Sequence, residues 1–83
     1  MNVTSNTSLE ELFAIVKNTL NELNSGEEFI VKDLFRGFEW NRIAKGNRTK
    51  LGSMVFNFVN HEGSTIIDLL GKTPQNQQKY KKI

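Results

Sequence analysis

Apolar residues recur at helical spacing in the first quarter of the chain. Leu9, Leu12, Phe13, Val16, Leu20 and Leu23 stand three or four apart, with Ile15 on the shoulder of the stripe. Ser8 precedes the stripe and Glu11 follows three residues later, a pairing in which hydroxyl and carboxylate satisfy free N–H groups at a helix start. A first helix is therefore predicted from Ser8, stopping at Asn24-Ser25-Gly26, where glycine can take the left-handed conformation. The pattern then changes to β-favouring Phe29, Ile30 and Val31, next to Lys32-Asp33-Leu34-Phe35, a stretch that suits one or two helical turns before Gly37. A short strand running into a short helix is expected here. Helical spacing returns between Asn41 and Gly63, with Leu51, Val55, Phe58 and Val59 on one side of a third helix. Phe35, Phe38 and Trp40, in the turn before it, are expected to anchor the core or the turn. Ser64 to Gly71 is β-rich through Ile66, Ile67, Leu69 and Leu70, turn chemistry surrounds Pro74, and Gln78 to Ile83 supplies a return strand.

The order of elements is helix, short strand, short helix, helix, strand, turn, strand. This predicts an α+β fold of the winged helix-turn-helix plan: three helices with a small antiparallel sheet and a C-terminal β-hairpin wing. Residues 8–83 are read as one domain, and residues 1–7, short and polar and lacking core-forming side chains, as a disordered leader. A chain of 83 residues has room for a single core, and domains of that size bury only about 60–65% of their unfolded surface.

Composition narrows the setting. There is no cysteine, so neither a disulfide framework nor a thiolate metal site is available, and a reducing, cytoplasmic environment is expected. No apolar run approaches the roughly 20 residues of a membrane span, and the opening Met1 to Ser8 carries no basic or apolar targeting segment, so no membrane partner is expected. The Asn-X-Ser/Thr triplets at Asn2, Asn6 and Asn47 are read as chance. The net charge of +2 conceals a division: residues 1–39 hold seven acids and three bases (−4), whereas residues 40–83 hold two acids and eight bases (+6). Such asymmetry favours a partner with a dense negative surface, and nucleic acid is the commonest for a small cytosolic domain.

Gly71-Lys72-Thr73 resembles the end of a nucleotide-binding P-loop, but that loop needs a glycine five positions before its Gly-Lys. Ile66 stands there, inside a predicted strand. A loop containing Lys72, Gln75 and Asn76, followed by Lys79, Lys81 and Lys82, instead offers ammonium groups and amides to a polyphosphate backbone. Arg42, Lys45, Arg48 and Lys50 cluster at the start of the third helix, where free N–H groups also favour phosphate. Advancing about 100° per residue from Leu51, the opposite side of that helix collects Gly46, Thr49, Ser53, Phe56, Asn57 and Asn60. An aromatic ring on such a polar face can stack on an unpaired base, or else it packs beneath the hairpin. Tyr80 stands between Lys79 and Lys81, and strand alternation places its ring on the side opposite to theirs. Catalytic signatures are lacking: His61 is the sole histidine, and no acid pair or Ser/His/Asp grouping has the spacing of a site. No enzymatic activity, metal or cofactor is expected.

The stretch Phe29 to Val59, with its Lys32-Asp33-Leu34-Phe35 and Glu39-Trp40-Asn41-Arg42-Ile43 pieces, and the ending Leu69 to Tyr80, with Gly71-Lys72-Thr73 and Asn76-Gln77-Gln78, resemble a small bacterial family. That family was first catalogued as a domain of unknown function, and its members occur on staphylococcal-type cassette and other mobile elements. The resemblance covers about residues 28–82. It implies a winged-helix fold and binding to single-stranded DNA in replication or maintenance of the mobile element, with replication proteins as further partners. The expected nucleic-acid-binding residues are Arg42, Lys45, Arg48, Lys50, Phe56, Lys72, Lys79, Tyr80, Lys81 and Lys82. Single-stranded DNA is favoured over duplex because the exposed side of the third helix has few groups, chiefly Asn57 and Asn60, for reading base edges. The alternatives are a duplex-binding regulator and a protein-interaction module that docks through the acidic first half.

Overall fold

Ser8 caps the first helix as its pairing with Glu11 requires. In the computed structural model, which describes residues 3–83, Ser8 Oγ accepts from the Glu11 N–H at 3.2 Å and donates to Glu11 Oε1 at 3.3 Å. Helix α1 runs Leu9–Leu20 and buries Leu12, Val16 and Leu20. It ends before Gly26: Asn21, Glu22 and Asn24, whose side chains or backbones favour local turn bonds, carry the chain in turns to Gly26 at φ 92. Strand β1 is only Glu28–Phe29. Val31–Leu34 then form one 3-10 turn, held at its start by Asp33 Oδ2, which accepts from the Ile30 N–H at 3.0 Å.

The next segment departs from the sequence reading. Gly37 does not stop a helix but begins one: α2 spans Gly37–Arg42, across residues expected to lie in a turn. Helix α3 spans Lys45–Asn60 rather than starting at Asn41. The break falls at Ile43, whose backbone is extended (φ −77, ψ 128) and whose β-branched side chain is buried between the two helices' ends at 3% exposure. Along α3, Leu51, Val55 and Val59 are buried, while Phe58 leans edge-on against Phe13 with ring centroids 5.8 Å apart. Gly63 follows the helix at a point where a Cβ would lie 2.7 Å from the Phe58 ring, so the ring's position requires glycine there.

Strands β2 (Ile67–Lys72) and β3 (Gln78–Lys82) form the C-terminal hairpin. The Thr73 N–H donates to the Gln77 carbonyl and the Asn76 N–H to the Thr73 carbonyl, each at 2.8 Å, and Asn76 supplies the left-handed residue at φ 63. The sheet is antiparallel with order β1-β3-β2, so the last strand lies in the middle. Its pairing puts Phe29 opposite Tyr80, Glu28 opposite Lys81, Asp68 opposite Lys81 and Leu69 opposite Tyr80, with an irregularity between Leu69 and Lys72. Three helices and a three-stranded antiparallel sheet make this an α+β fold, with α2 added to the expected order and the short helix expected before Gly37 reduced to a 3-10 turn.

One core joins all of these elements, with Leu12, Val16 and Leu20 meeting Leu51, Val55, Val59, Ile67 and Tyr80. Val3 belongs to it as well, at 0% exposure. The Val3 N–H donates to Glu39 Oε2 at 3.1 Å, and its carbonyl accepts from Arg42 Nη1 at 2.9 Å. The idea of a leader without core-forming residues therefore fails at Val3, because α2 holds its backbone while its side chain enters the core. Glu39 is itself 1% exposed, with the Arg36 guanidinium 3.4 Å from Oε1.

Candidate nucleic-acid interface

The polar side of α3 does not look straight into solvent. It lines a groove of about 790 Å³ together with the C-terminal hairpin and the start of the 3-10 turn. On the α3 wall, small residues repeat at helical spacing: Thr49, Gly52 and Ser53 keep the floor low, and Phe56 and Asn57 stand at the far end. Phe56 is 40% exposed, so it lines the groove instead of being sealed beneath the hairpin.

Cations reach the groove from three elements: Lys45 and Arg48 from the first turn of α3, Lys72 from the end of β2, and Lys32 from the 3-10 turn. No carboxylate lines it among the described residues. The hairpin adds the amides of Asn76, Gln77 and Gln78, and Gln78 Nε2 is oriented by donating to the Leu70 carbonyl across the irregular part of the hairpin. Arg48 is fixed in place. Its Nε donates to the Ile43 carbonyl at 2.9 Å and its Nη2 to the Asn41 carbonyl at 3.3 Å, and its guanidinium lies 5.6 Å from the Trp40 ring centroid. This arrangement also ties the α2–α3 turn to the groove rim.

Of the residues expected at the site, Lys45, Arg48, Phe56 and Lys72 come together here. The others do not serve it in the way expected. Tyr80 contributes to the groove's inner wall, but at 1% exposure its ring is a core group stacked on Phe29 with centroids 5.5 Å apart, and no base could lie on it. Burial pushes its hydroxyl up to about 12. Lys79 and Lys81 occupy the opposite face of β3, as alternation requires. There Lys79 Nζ pairs with Glu28 Oε1 at 2.8 Å, and Lys81 lies between Glu28 and Asp68 in the sheet register. The Lys79 hydrogen bond and charge hold the Glu28 carboxyl below its ordinary value. Lys82 is at the far end of the strand, opposite Ile67, with its backbone bonded to Gly26 and Glu27. The carboxyl-terminal lysines and the start of α3 therefore do not form one cationic surface; two acids balance the outer face of the sheet. Lys50 is exposed but outside the groove. Arg42 faces Val3 and the ring of Phe38, and Phe38, expected to anchor the core or the turn, is 53% exposed.

Lys32 and the Asn76-Gln77-Gln78 wall complete the site. Lys32 has no sequence neighbour among the other cations, and only the sheet's closure onto the 3-10 turn brings it there. A second, shallower hollow of about 370 Å³ lies between Phe13, Phe58 and His61, where His61 Nδ1 donates to the Asn57 carbonyl at 2.7 Å. No helix among the described residues is long and apolar enough to cross a membrane.

A family model described as a domain of unknown function (DUF1413) matches residues 14–82, and the chain belongs to that family. No curated protein and no solved structure matches it.

Proposed function

We propose that the chain binds single-stranded DNA along the groove between α3 and the C-terminal hairpin, with little dependence on base sequence. The observation that carries this reading is the lining itself: Lys32, Lys45, Arg48 and Lys72 share one groove with a partly exposed phenylalanine and no carboxylate. A row of cations from separate elements suits a flexible polyanion that can follow it, and phosphate contacts position a strand without reading it. Phe56 offers a ring face to an unstacked base, a contact worth roughly 1–3 kcal/mol and indifferent to base identity. The hydroxyls of Thr49 and Ser53 and the amides of Asn57, Asn76, Gln77 and Gln78 provide hydrogen bonds to sugar, phosphate or base edge.

Duplex DNA asks for something different from α3. Reading a major groove needs long side chains with paired donors and acceptors. Of the α3 residues in the groove, Asn57 is the one that carries an amide, Arg48 has its Nε and Nη2 committed to the Ile43 and Asn41 carbonyls, Lys45 offers a single ammonium, and Thr49, Gly52 and Ser53 are too short to reach base edges. In this reading the molecule works as a winged helix-turn-helix, with α2 and α3 as the helical pair and the β2–β3 hairpin as the wing, and the α+β arrangement of three helices and a small antiparallel sheet supports it. A role in replication or maintenance of a mobile element is supported by the sequence resemblance alone.

Titration of labelled single-stranded and duplex oligonucleotides of one sequence, at two salt concentrations, tests the proposal. Tighter single-strand binding that weakens steeply with salt is expected. Sequence-dependent duplex binding would instead make the protein a duplex regulator, and no binding to either would leave protein interaction as the better reading.

A further inference from the structure

Away from the groove, α2 carries an exposed cluster that the core does not use. Phe38 is 53% exposed, the most exposed aromatic ring of the molecule. The Arg42 guanidinium lies 5.0 Å from its centroid and that of Arg36 5.8 Å. Both distances are within reach of a cation–π contact. The acid in this neighbourhood, Glu39, is turned inward and 1% exposed, with the Arg36 guanidinium 3.4 Å from its Oε1, so the outer surface at α2 presents a ring, the Arg42 guanidinium and the solvent-facing part of the Arg36 guanidinium. Exposing a phenylalanine in a small domain forgoes apolar burial worth roughly 25 cal/mol per Å². The tether on Arg42 at the Val3 carbonyl keeps one of the two cations beside the ring.

We propose that this Arg36-Phe38-Arg42 cluster is a second contact for single-stranded nucleic acid, engaged by the part of a strand that leaves the groove over α2. The inference rests on the groove reading. Two features favour that occupant. The first is charge complementarity: a ring with guanidinium planes against it is a platform on which bases stack while the guanidinium edges meet phosphates. The second is continuity, because the groove rim is itself tied to α2 through Arg48, which bonds the Asn41 carbonyl and lies against Trp40. Phe38 and Trp40 are two positions apart on α2, so about 200° separates them. A strand must therefore cross the width of one helix, about 10 Å, to pass from one to the other. At about 3.4 Å per stacked nucleotide that crossing takes about three nucleotides beyond those the groove holds, so a strand only long enough to fill the groove does not engage the cluster.

The length of the strand is accordingly the variable that tests it. Anisotropy titrations would use labelled oligothymidylates of about six and about twenty nucleotides, within and beyond the site sizes of small single-strand binders. Phe38→Ala is expected to weaken binding of the long strand by about five-fold or more, the lower end of one lost stacking contact. It should leave the short strand unaffected, with an unchanged thermal melt, and Phe38→Trp should restore long-strand affinity. Loss of neither affinity, or equal loss of both, overturns the second contact while leaving the groove reading intact. If the wild-type chain binds neither strand, the groove reading fails and this inference falls with it.

Discussion

Tyr80 and Phe56 are both aromatic, and both border the groove, yet their surroundings assign them opposite work. Burial raises the Tyr80 hydroxyl from its ordinary 10.0 to about 12, because the folded environment disfavours the phenolate. The sign follows: the folded form keeps its proton where the unfolded form loses it, so this contribution to stability is complete below pH 10 and disappears as pH rises toward 12. Tyr80→Phe keeps the stack on Phe29 and removes the titrating group. Denaturant midpoints measured between pH 9 and 12 should fall more steeply for the wild type than for this variant. Phe56, at 40% exposure, is only partly buried and stands outside the core cluster. Phe56→Ala should weaken single-strand binding about five-fold or more while the melting temperature moves by only a few degrees. A large drop in melting temperature would mark the ring as a packing group.

At the scale of elements, the groove exists because three separate pieces of chain meet around small residues on one helix face. Replacing Lys32, Lys45 and Lys72 together by glutamine should weaken binding to all single strands alike. It should also reduce the slope of log affinity against log salt by about 0.7 for each phosphate contact removed. The same treatment of Lys81, which faces Glu28 and Asp68, should change little. Elements with strong local signals were legible in the sequence: α1 from its capping pair and stripe, the hairpin from alternation around Pro74, and the buried side of α3 from Leu51, Val55 and Val59. Helix α2 was not. Its six residues are too few to display a period, and Gly37 at its start carries the same letter as a stop. Alternation separated Tyr80 from Lys79 and Lys81, but it did not tell which side the core would take. That was decided by Phe29, just over fifty residues earlier, once β1 paired with β3. Lys32 joined the site by the same closure, a tertiary event that leaves no local trace.

At the scale of the molecule, Val3 and strand β3 are tied into one small core. Val3 fills space in it and gives an N–H to the buried Glu39 carboxylate. Deleting residues 1–3 should cost about 2 kcal/mol or more, from lost apolar burial and a weakened carboxylate environment, and lower the melting temperature by roughly 8–16 °C. Calorimetry of the shortened chain checks this, and an unchanged melt would show that α2 does not need the segment. Strand β3 matters in a different way. Because β3 is the central strand, Phe29 must wait for Tyr80, which a ribosome working at roughly 5–20 residues per second adds about 3–10 s later. A nascent chain halted before Gln78 can wind its helices but has no middle rail to which either neighbouring strand can fasten. Messages cut short before the codon for Gln78 should therefore yield sheetless products that expose Phe29 and Ile67 to proteases.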